Sequence, residues 1–150
     1  MGADLDLVVL GAGSGGLAAA KRAARYGARV AIVEGDRVGG ACVIRGCVPK
    51  KLLVYGSQAR HQLADASAYG LEIGSLRSDV PDLLRRVRAE VDRLNALHLG
   101  FLEKAGVQLI SGWGRFTAAD RLGISDQRGG PVREELSAPR FLVAVGGRPV

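Results

Sequence analysis

Apolar residues of the chain occur in short continuous runs and in longer segments with helical spacing. Residues 5–10 form a nearly continuous apolar run, which is typical of a strand buried on both faces of a parallel sheet. A glycine turn over 11–16 follows, and the alanine-rich segment 17–26 predicts a helix. A second apolar run over 29–33 predicts another strand. These segments form a β-α-β unit of about 30 residues, the usual size of such units.

The remaining pattern predicts two long helical regions and several further strands. Residues 41–68 are expected to be helical, with Pro49 in an early turn. Asp79 begins a helix whose apolar positions keep a 3.6-residue period to about Lys104. Two predicted strands follow, over residues 107–110 and 114–118. A polar hairpin is predicted over 122–136, around Gly129-Gly130, and a last buried strand over 141–145. The fold class is therefore α/β and Rossmann-like: a parallel sheet flanked by helices, plus a small antiparallel β element.

Composition and charge narrow the class of protein. Apolar residues make up 47% and charged residues 24% of the 150-residue chain, which suits one globular domain. The net charge is +6, but the arginines are dispersed and lack an aromatic platform, so we expect no nucleic-acid partner. The longest apolar runs fall far short of the roughly 20 residues that span a membrane. The first residues contain no secretory signal, so we expect no membrane partner and a cytoplasmic location.

A glycine motif follows the first predicted strand. Gly11, Gly13 and Gly16 match the pattern GxGxxG, and Glu34 lies 18 residues beyond Gly16. The first glycine permits a tight turn, the second lets the backbone approach a pyrophosphate, and the third lets the helix pack on the strand. An acidic residue after the second strand binds ribose hydroxyls and repels a 2′-phosphate. The motif predicts FAD or NAD rather than NADP, and a tight turn without a ligand is the alternative.

Two cysteines, Cys42 and Cys47, lie five positions apart in the predicted helix. On an ideal helix their Cα atoms would be roughly 8–9 Å apart, whereas a disulfide prefers about 4.4–6.8 Å. Disulfide formation therefore requires a distorted helix, which Gly46 makes easier. Strained, accessible disulfides are readily reduced. A helix amino terminus, Arg45 and Lys50 are expected to lower the thiol pKa values.

Three other interpretations of the cysteines stay open. Half of a zinc site is one, although His61 and His98 lie alone and zinc ligands are usually spaced more closely. Two buried inert cysteines, or a purely structural disulfide, are the others. We expect a redox-active pair and no metal site.

The segment from Gly39 to Lys51, GGACVIRGCVPKK, together with the glycine loop and Glu34, resembles the pyridine nucleotide-disulfide oxidoreductases. The Pro-Lys-Lys after the second cysteine is similar to the glutathione reductase branch of that family, whereas dihydrolipoamide dehydrogenases have Pro-Ser-Lys. The similarity continues through residues 93–95 and 144–149 and covers essentially the whole chain.

The resemblance implies roles for individual residues. Cys42 would attack the substrate disulfide, Cys47 would lie against the flavin ring, and Lys50 would lie near the flavin N5. Beyond these catalytic positions, the resemblance implies two further sets of contacts. The FAD-binding set is Gly11, Gly13, Ser14, Gly16, Glu34, Gly40, Ala41, Lys50, Gly114 and Gly146. The substrate-binding set is Ser14, Lys21 and His98.

The chain departs from the family pattern at four positions. Ala41 replaces a threonine, so that one hydroxyl contact to FAD is lost, and Val145 stands where the family has Thr. Lys21 replaces an arginine, which keeps the charge but loses the bidentate fork. His98 stands where many members have a tyrosine. The last two departures leave the identity of the disulfide substrate open.

The family resemblance also implies domains that these 150 residues do not contain. Residues 1–150 would be the first segment of an FAD/NAD(P)-binding domain, with the NADPH and interface domains absent, so we expect no turnover from this segment alone. The full-length protein would be a homodimeric, NADPH-dependent FAD enzyme that reduces oxidised glutathione, with a His-Glu pair from the partner subunit as acid/base. The alternatives are a reductase of another small disulfide, trypanothione-like, and a non-enzymatic flavin-binding or thiol-sensor module.

Overall fold

A four-stranded parallel sheet organises residues 5–147, the part of the chain that this computed structural model describes. The elements are β1 (Leu7–Leu10), α1 (Ser14–Arg25), β2 (Val30–Glu34), α2 (Gly40–Ile44), α3 (Cys47–Ala64), a 3₁₀ turn (Ala66–Tyr69), α4 (Val80–Lys104), β3 (Gln108–Ser111), β4 (Trp113–Ala118), β5 (Arg121–Ser125), β6 (Glu134–Ser137) and β7 (Phe141–Val143).

The parallel sheet has the strand order β3-β2-β1-β7, and a separate antiparallel sheet has the order β4-β5-β6. Helix α1 connects β1 to β2, and α4 lies between β2 and β3 in the chain. The predicted Rossmann-like α/β class and the small antiparallel element are both confirmed. Parallel neighbours bring the carboxyl ends of β1, β2 and β7 to one edge of the sheet.

Two apolar clusters cover the two faces of the parallel sheet. Helices α1 and α4 cover one face, where Leu17 and Leu102 pack with Ile32 of β2. The antiparallel sheet covers the other face, where Leu122 and Ile124 of β5 join the core. The central strands are therefore buried on both sides, as continuous apolar runs predict. The arrangement has three layers, with the sheet in the middle.

Helix α4 begins where the sequence predicts. Asp79 is the N-cap residue, and its side chain accepts a hydrogen bond of 2.9 Å from the backbone N–H of Asp82. Pro81 occupies the first turn, where its missing N–H has no helical partner to lose. Within residues 5–147, none of the helices combines the length and the apolarity needed to cross a membrane.

Three predicted elements differ in the structure. The helix predicted over 41–68 is divided, because α2 ends at Ile44 and α3 begins at Cys47. The last strand is only partly buried: β7 is an edge strand in which Phe141 packs against the core, whereas Val143 is 59% exposed. The hairpin is polar only in its second strand, since β5 packs its apolar side chains into the core. Arg148 and Pro149 of the family resemblance lie outside the described residues.

Candidate functional site

The glycine loop between β1 and α1 makes two close approaches. Gly11 has a φ of +95°, and a Cβ there would lie 2.5 Å from the carbonyl oxygen of Ala144, just beyond β7. A Cβ on Gly16 would lie 1.8 Å from the carbonyl oxygen of Gly11, because α1 packs directly on the loop. Real Cβ atoms do not approach backbone atoms this closely. Packing therefore gives a physical reason for glycine at both positions.

The amino terminus of α1 has no side-chain cap among the described residues. Gly13 is the N-cap residue, and within residues 5–147 no side chain hydrogen-bonds to this end of the helix. Ser14, the first helical residue, is exposed. The first N–H groups of a helix have no partner in the helix, and the helix dipole places partial positive charge there. A phosphate could bind here without displacing another group of the protein.

Glu34 holds its carboxylate against the glycine loop. Its Oε2 accepts a hydrogen bond of 2.7 Å from the backbone N–H of Ala12. Its Oε1 accepts one of 2.9 Å from the backbone N–H of Asp36. These two bonds fix the orientation of the carboxylate, and each oxygen keeps capacity for a further donor. A ribose with vicinal hydroxyls would supply such donors.

The loop that precedes α2 lies directly on the glycine loop. Gly39 donates a backbone hydrogen bond of 2.8 Å to the carbonyl oxygen of Ala12. Gly40 has a φ of +65°, and a Cβ there would lie 2.6 Å from the Cα of Gly13. Gly40 is only two positions before Cys42. The predicted phosphate-binding loop and the cysteine-bearing helix are thus in direct contact.

The two cysteines lie on either side of a break in the helix. Cys42 is half-buried in α2, whereas Cys47 is exposed as the first residue of α3. A Cβ on Gly46 would lie 2.9 Å from the carbonyl oxygen of Ala41, so only glycine lets the chain turn back this closely. The break brings Cys47 close enough to Cys42 for its thiol and its backbone N–H to act on the pKa of Cys42. Both cysteines are present as free thiols.

The pKa of Cys42 is raised, which corrects the sequence-based expectation. The hydrogen bond with the Cys47 thiol is the largest cause, followed by burial, and both disfavour the thiolate. The charge of Lys50 acts in the expected direction and lowers the pKa of Cys42, but its influence is smaller. Arg45 instead forms an ion pair with Asp36. Its charge is therefore neutralised locally.

Three other predicted cofactor positions lie around the same edge of the sheet. Ala41, next to Gly40, is exposed and supplies no hydroxyl group. Gly114 in β4 lies at the end of β1, since a Cβ there would be 3.4 Å from a methyl carbon of Leu10. Gly146 has a φ of +72° and follows β7. The backbone alone is available for contact at the two glycines.

Lys21 and His98 form a separate group between α1 and α4. The Nζ atom of Lys21 lies 5.4 Å from the ring centroid of Phe101, and the His98 ring meets the same ring edge-on at 6.0 Å. Burial, and secondarily the charge of Lys21, lowers the pKa of His98. The buried Nδ1 of His98 has no hydrogen-bond partner among residues 5–147. Lys21 lies seven residues, about 10 Å along the helix, beyond Ser14.

Sequence analysis missed the side chains that hold the loop over residues 35–39. The Nδ2 of Asn95 in α4 donates a hydrogen bond of 2.8 Å to the carbonyl oxygen of Val38. Arg37 forms an ion pair of 2.7 Å with Asp92, also in α4. Asn95 lies in the 93–95 segment of the family resemblance, but its partner could not be predicted, because the contact spans 57 positions.

The residues present fit an FAD-sized dinucleotide. An uncapped helix amino terminus suits the pyrophosphate, and the oriented Glu34 carboxylate suits a ribose. FAD, if bound there, would supply two-electron redox chemistry. Within residues 5–147, no three His, Cys, Asp or Glu side chains converge on a point where they could hold a metal ion.

Comparisons with known proteins agree with this geometry. Residues 5–150 match the family described as pyridine nucleotide-disulphide oxidoreductase. A glutathione reductase of Nostoc sp. is 52% identical over 147 residues, which cover 98% of this chain and 30% of the relative. A glutathione reductase of Burkholderia cepacia is 40% identical over 98% of this chain and 31% of its own length. A glutathione reductase of Pisum sativum, named chloroplastic/mitochondrial, is 38% identical over 97% of this chain and 27% of its own length. The chain thus spans about 30% of the length of the curated relatives it matches.

Proposed function

This chain belongs to the pyridine nucleotide-disulphide oxidoreductase family, and from that premise we propose that it binds FAD and carries the redox-active cysteines of an NADPH-dependent glutathione disulfide reductase. The observation that carries the proposal is the contact between Gly13 and Gly40. It joins the dinucleotide loop to the helix that bears Cys42. A nucleotide site and a dithiol are therefore parts of one local structure.

The cysteine pair performs the exchange with the substrate. The thiolate of Cys42 attacks one sulfur of the substrate disulfide, forms a mixed disulfide and releases the first thiol. The thiolate of Cys47 then attacks the Cys42 sulfur, forms the Cys42–Cys47 disulfide and releases the second thiol. Two electrons and two protons have passed to the substrate, and the pair requires two electrons before the next cycle. NADPH, through FAD, is the proposed source of those electrons.

The raised pKa of Cys42 imposes a condition on this exchange. The hydrogen bond to Cys47 and partial burial both disfavour the Cys42 thiolate and so raise the pKa of the thiol. A base must accept the proton when the thiolate forms. We place that base, together with the NADPH site and the dimer interface, outside residues 1–150, in a homodimeric full-length protein.

Glutathione disulfide is the proposed substrate because three relatives with 38–52% identity are glutathione reductases. Lys21 would bind a substrate carboxylate, and the partly buried His98 beside it would stay neutral. Ser14 would lie between this group and the cofactor. We propose a cytoplasmic location, because in a cytoplasmic protein two cysteines are more often catalytic than a structural disulfide. Lys21 and His98 depart from the family pattern at the proposed substrate site. Other small disulfides, such as that of trypanothione, should therefore be tested alongside glutathione disulfide.

The experiment expresses the complete gene and follows NADPH oxidation with glutathione disulfide and trypanothione disulfide. Wild-type protein is expected to turn over glutathione disulfide, whereas Cys42→Ser and Cys47→Ser abolish turnover. The visible spectrum separates the two cysteines: a long-wavelength thiolate–flavin band is expected to survive in Cys42→Ser and to disappear in Cys47→Ser. A protein without bound flavin would refute the proposal. Turnover of trypanothione disulfide but not of glutathione disulfide would refute glutathione disulfide as the substrate and identify trypanothione disulfide instead.

A further inference from the structure

The side chain of Trp113 lies flat against the residue that follows Glu34. A Cβ on Gly35 would lie 2.6, 2.7 and 3.0 Å from three atoms of the indole ring. Three such similar distances mean that Gly35 faces the plane of the ring rather than its edge. The backbone fixes this position, because Gly112 donates a hydrogen bond of 2.8 Å to the carbonyl oxygen of Glu34. The indole ring is thus held about one residue from the Glu34 carboxylate.

Arg128 covers the ring from the turn between β5 and β6. Its guanidinium carbon lies 5.9 Å from the Trp113 ring centroid. Because the Gly35 backbone lies against one face of the indole, we infer that the guanidinium lies over the other. Arg128 is exposed, and no carboxylate within residues 5–147 forms an ion pair with it. The side chain is therefore free to shift.

We propose that Trp113 and Arg128 form a clamp for the adenine ring of the bound dinucleotide. The inference rests on the proposed FAD site, in which Glu34 binds the adenosine ribose. The base is attached directly to that ribose, and the indole is the aromatic surface beside Gly35. Neither residue belongs to the glycine motif or to the cysteine segment. Their role would be to set the affinity and the base preference of the adenosine half.

The spacing of the two side chains suits this role. A base stacked between two planar groups needs about 3.5 Å on each side, or about 7 Å in total. The observed distance of 5.9 Å falls short by about 1 Å, a shift that an exposed arginine can make. On one side the base would stack on indole, and on the other it would meet a planar cation, which also favours aromatic faces.

The test measures ADP and FAD binding to flavin-free protein produced from the complete gene. Calorimetry with ADP reports the adenosine half alone, and quenching of flavin fluorescence reports FAD. Trp113→Leu is expected to weaken both ligands by about tenfold, within the range for loss of one base–aromatic stack. Trp113→Phe keeps a ring and should lose much less. Arg128→Met is expected to weaken both by about threefold, and Arg115→Met, an exposed cation on the same strand, should bind like the wild type.

The outcomes distinguish failure of the proposed FAD site from failure of the Trp113–Arg128 clamp. If wild-type protein binds neither ADP nor FAD, the proposed function fails before the clamp is tested. If the wild type binds both, and Trp113→Leu and Arg128→Met bind them equally well, the clamp is refuted while the FAD site stands. Should Trp113→Leu not fold, Arg128→Met decides alone, because its side chain is exposed: weaker ADP binding supports the clamp, and unchanged binding overturns it.

Discussion

Replacing Gly16 by alanine tests the packing of α1 on the glycine loop. The added methyl carbon would lie 1.8 Å from the carbonyl oxygen of Gly11, which is a backbone atom and cannot rotate away. The φ of Gly16 is not in the left-handed region, so alanine meets no dihedral penalty there. Intrinsic helix propensity favours alanine over glycine by about 1 kcal/mol. Any destabilisation must therefore come from the steric contact.

The magnitude follows from the displacement that the contact requires. To reach even 3.0 Å, the closest approach that real Cβ atoms tolerate, α1 must move from the loop by 1.2 Å (3.0 minus 1.8). The helix packs into a core that contains Leu17 and Ala20, so the shift also opens gaps there. Overpacking of this kind costs about 1–3 kcal/mol, and we expect the upper end. FAD binding should weaken as well, since the displaced residues form the proposed phosphate-binding loop.

Urea unfolding of the flavin-free protein measures the stability term without the cofactor. The matched control is Gly15→Ala, one position earlier in the same helical turn, where an added Cβ meets no atom within 4 Å. That variant should be as stable as the wild type or slightly more so. If Gly16→Ala unfolded at the same urea concentration as Gly15→Ala, close packing would not be the reason for glycine at position 16.

Three further predictions concern the cysteines and the core. In Cys47→Ala, the midpoint pH for alkylation of Cys42 should fall, because the thiol hydrogen bond that most raises the Cys42 pKa is removed; a midpoint that stays or rises would contradict this. Gly46→Ala places a methyl group 2.9 Å from a carbonyl oxygen of α2, and relief of this contact should move the two cysteines apart. A disulfide needs Cα atoms within about 6.8 Å, and overpacking costs about 1–3 kcal/mol, so the dithiol–disulfide equilibrium in a glutathione buffer should shift about tenfold towards the dithiol. An unchanged equilibrium would mean that the break tolerates a side chain. Leu102→Ala, at a position 1% exposed, should lower the free energy of unfolding by about 2–5 kcal/mol, whereas the same change at Leu99, 39% exposed, should cost far less.

The fold and the glycine loop could be predicted because local physics specifies them. A continuous apolar run predicts a strand buried on both faces, and β1 is such a strand. The Asp79–Pro81 start of α4 is a local signal, because the Asp79 side chain caps the N–H group of Asp82, three residues away. Each of these features depends on neighbours in the sequence, so that a single chain is sufficient to identify it.

The features that escaped prediction depend on contacts between distant segments. The break between α2 and α3 depends on how closely Gly46 passes over Ala41, which helix propensity does not describe. The direction of the Cys42 pKa depends on the separation of two sulfur atoms, and a count of nearby positive charges gave the wrong sign. The exposure of β7 depends on its place at the edge of the sheet, whereas its composition indicates only that it is apolar.

The contact between Gly13 and Gly40 has a thermodynamic consequence. A cofactor that changes the position of the glycine loop is expected to act on the helix that carries Cys42, because the two backbones pack so closely that a Cβ on Gly40 would lie 2.6 Å from the Cα of Gly13. Linkage is reciprocal: if the cofactor binds the dithiol form more tightly than the disulfide form, it raises the reduction potential of the cysteine pair by the same free energy. A change in the affinity for the cofactor would therefore be accompanied by a change in the reduction potential of the thiols. A substitution at either glycine would change both together.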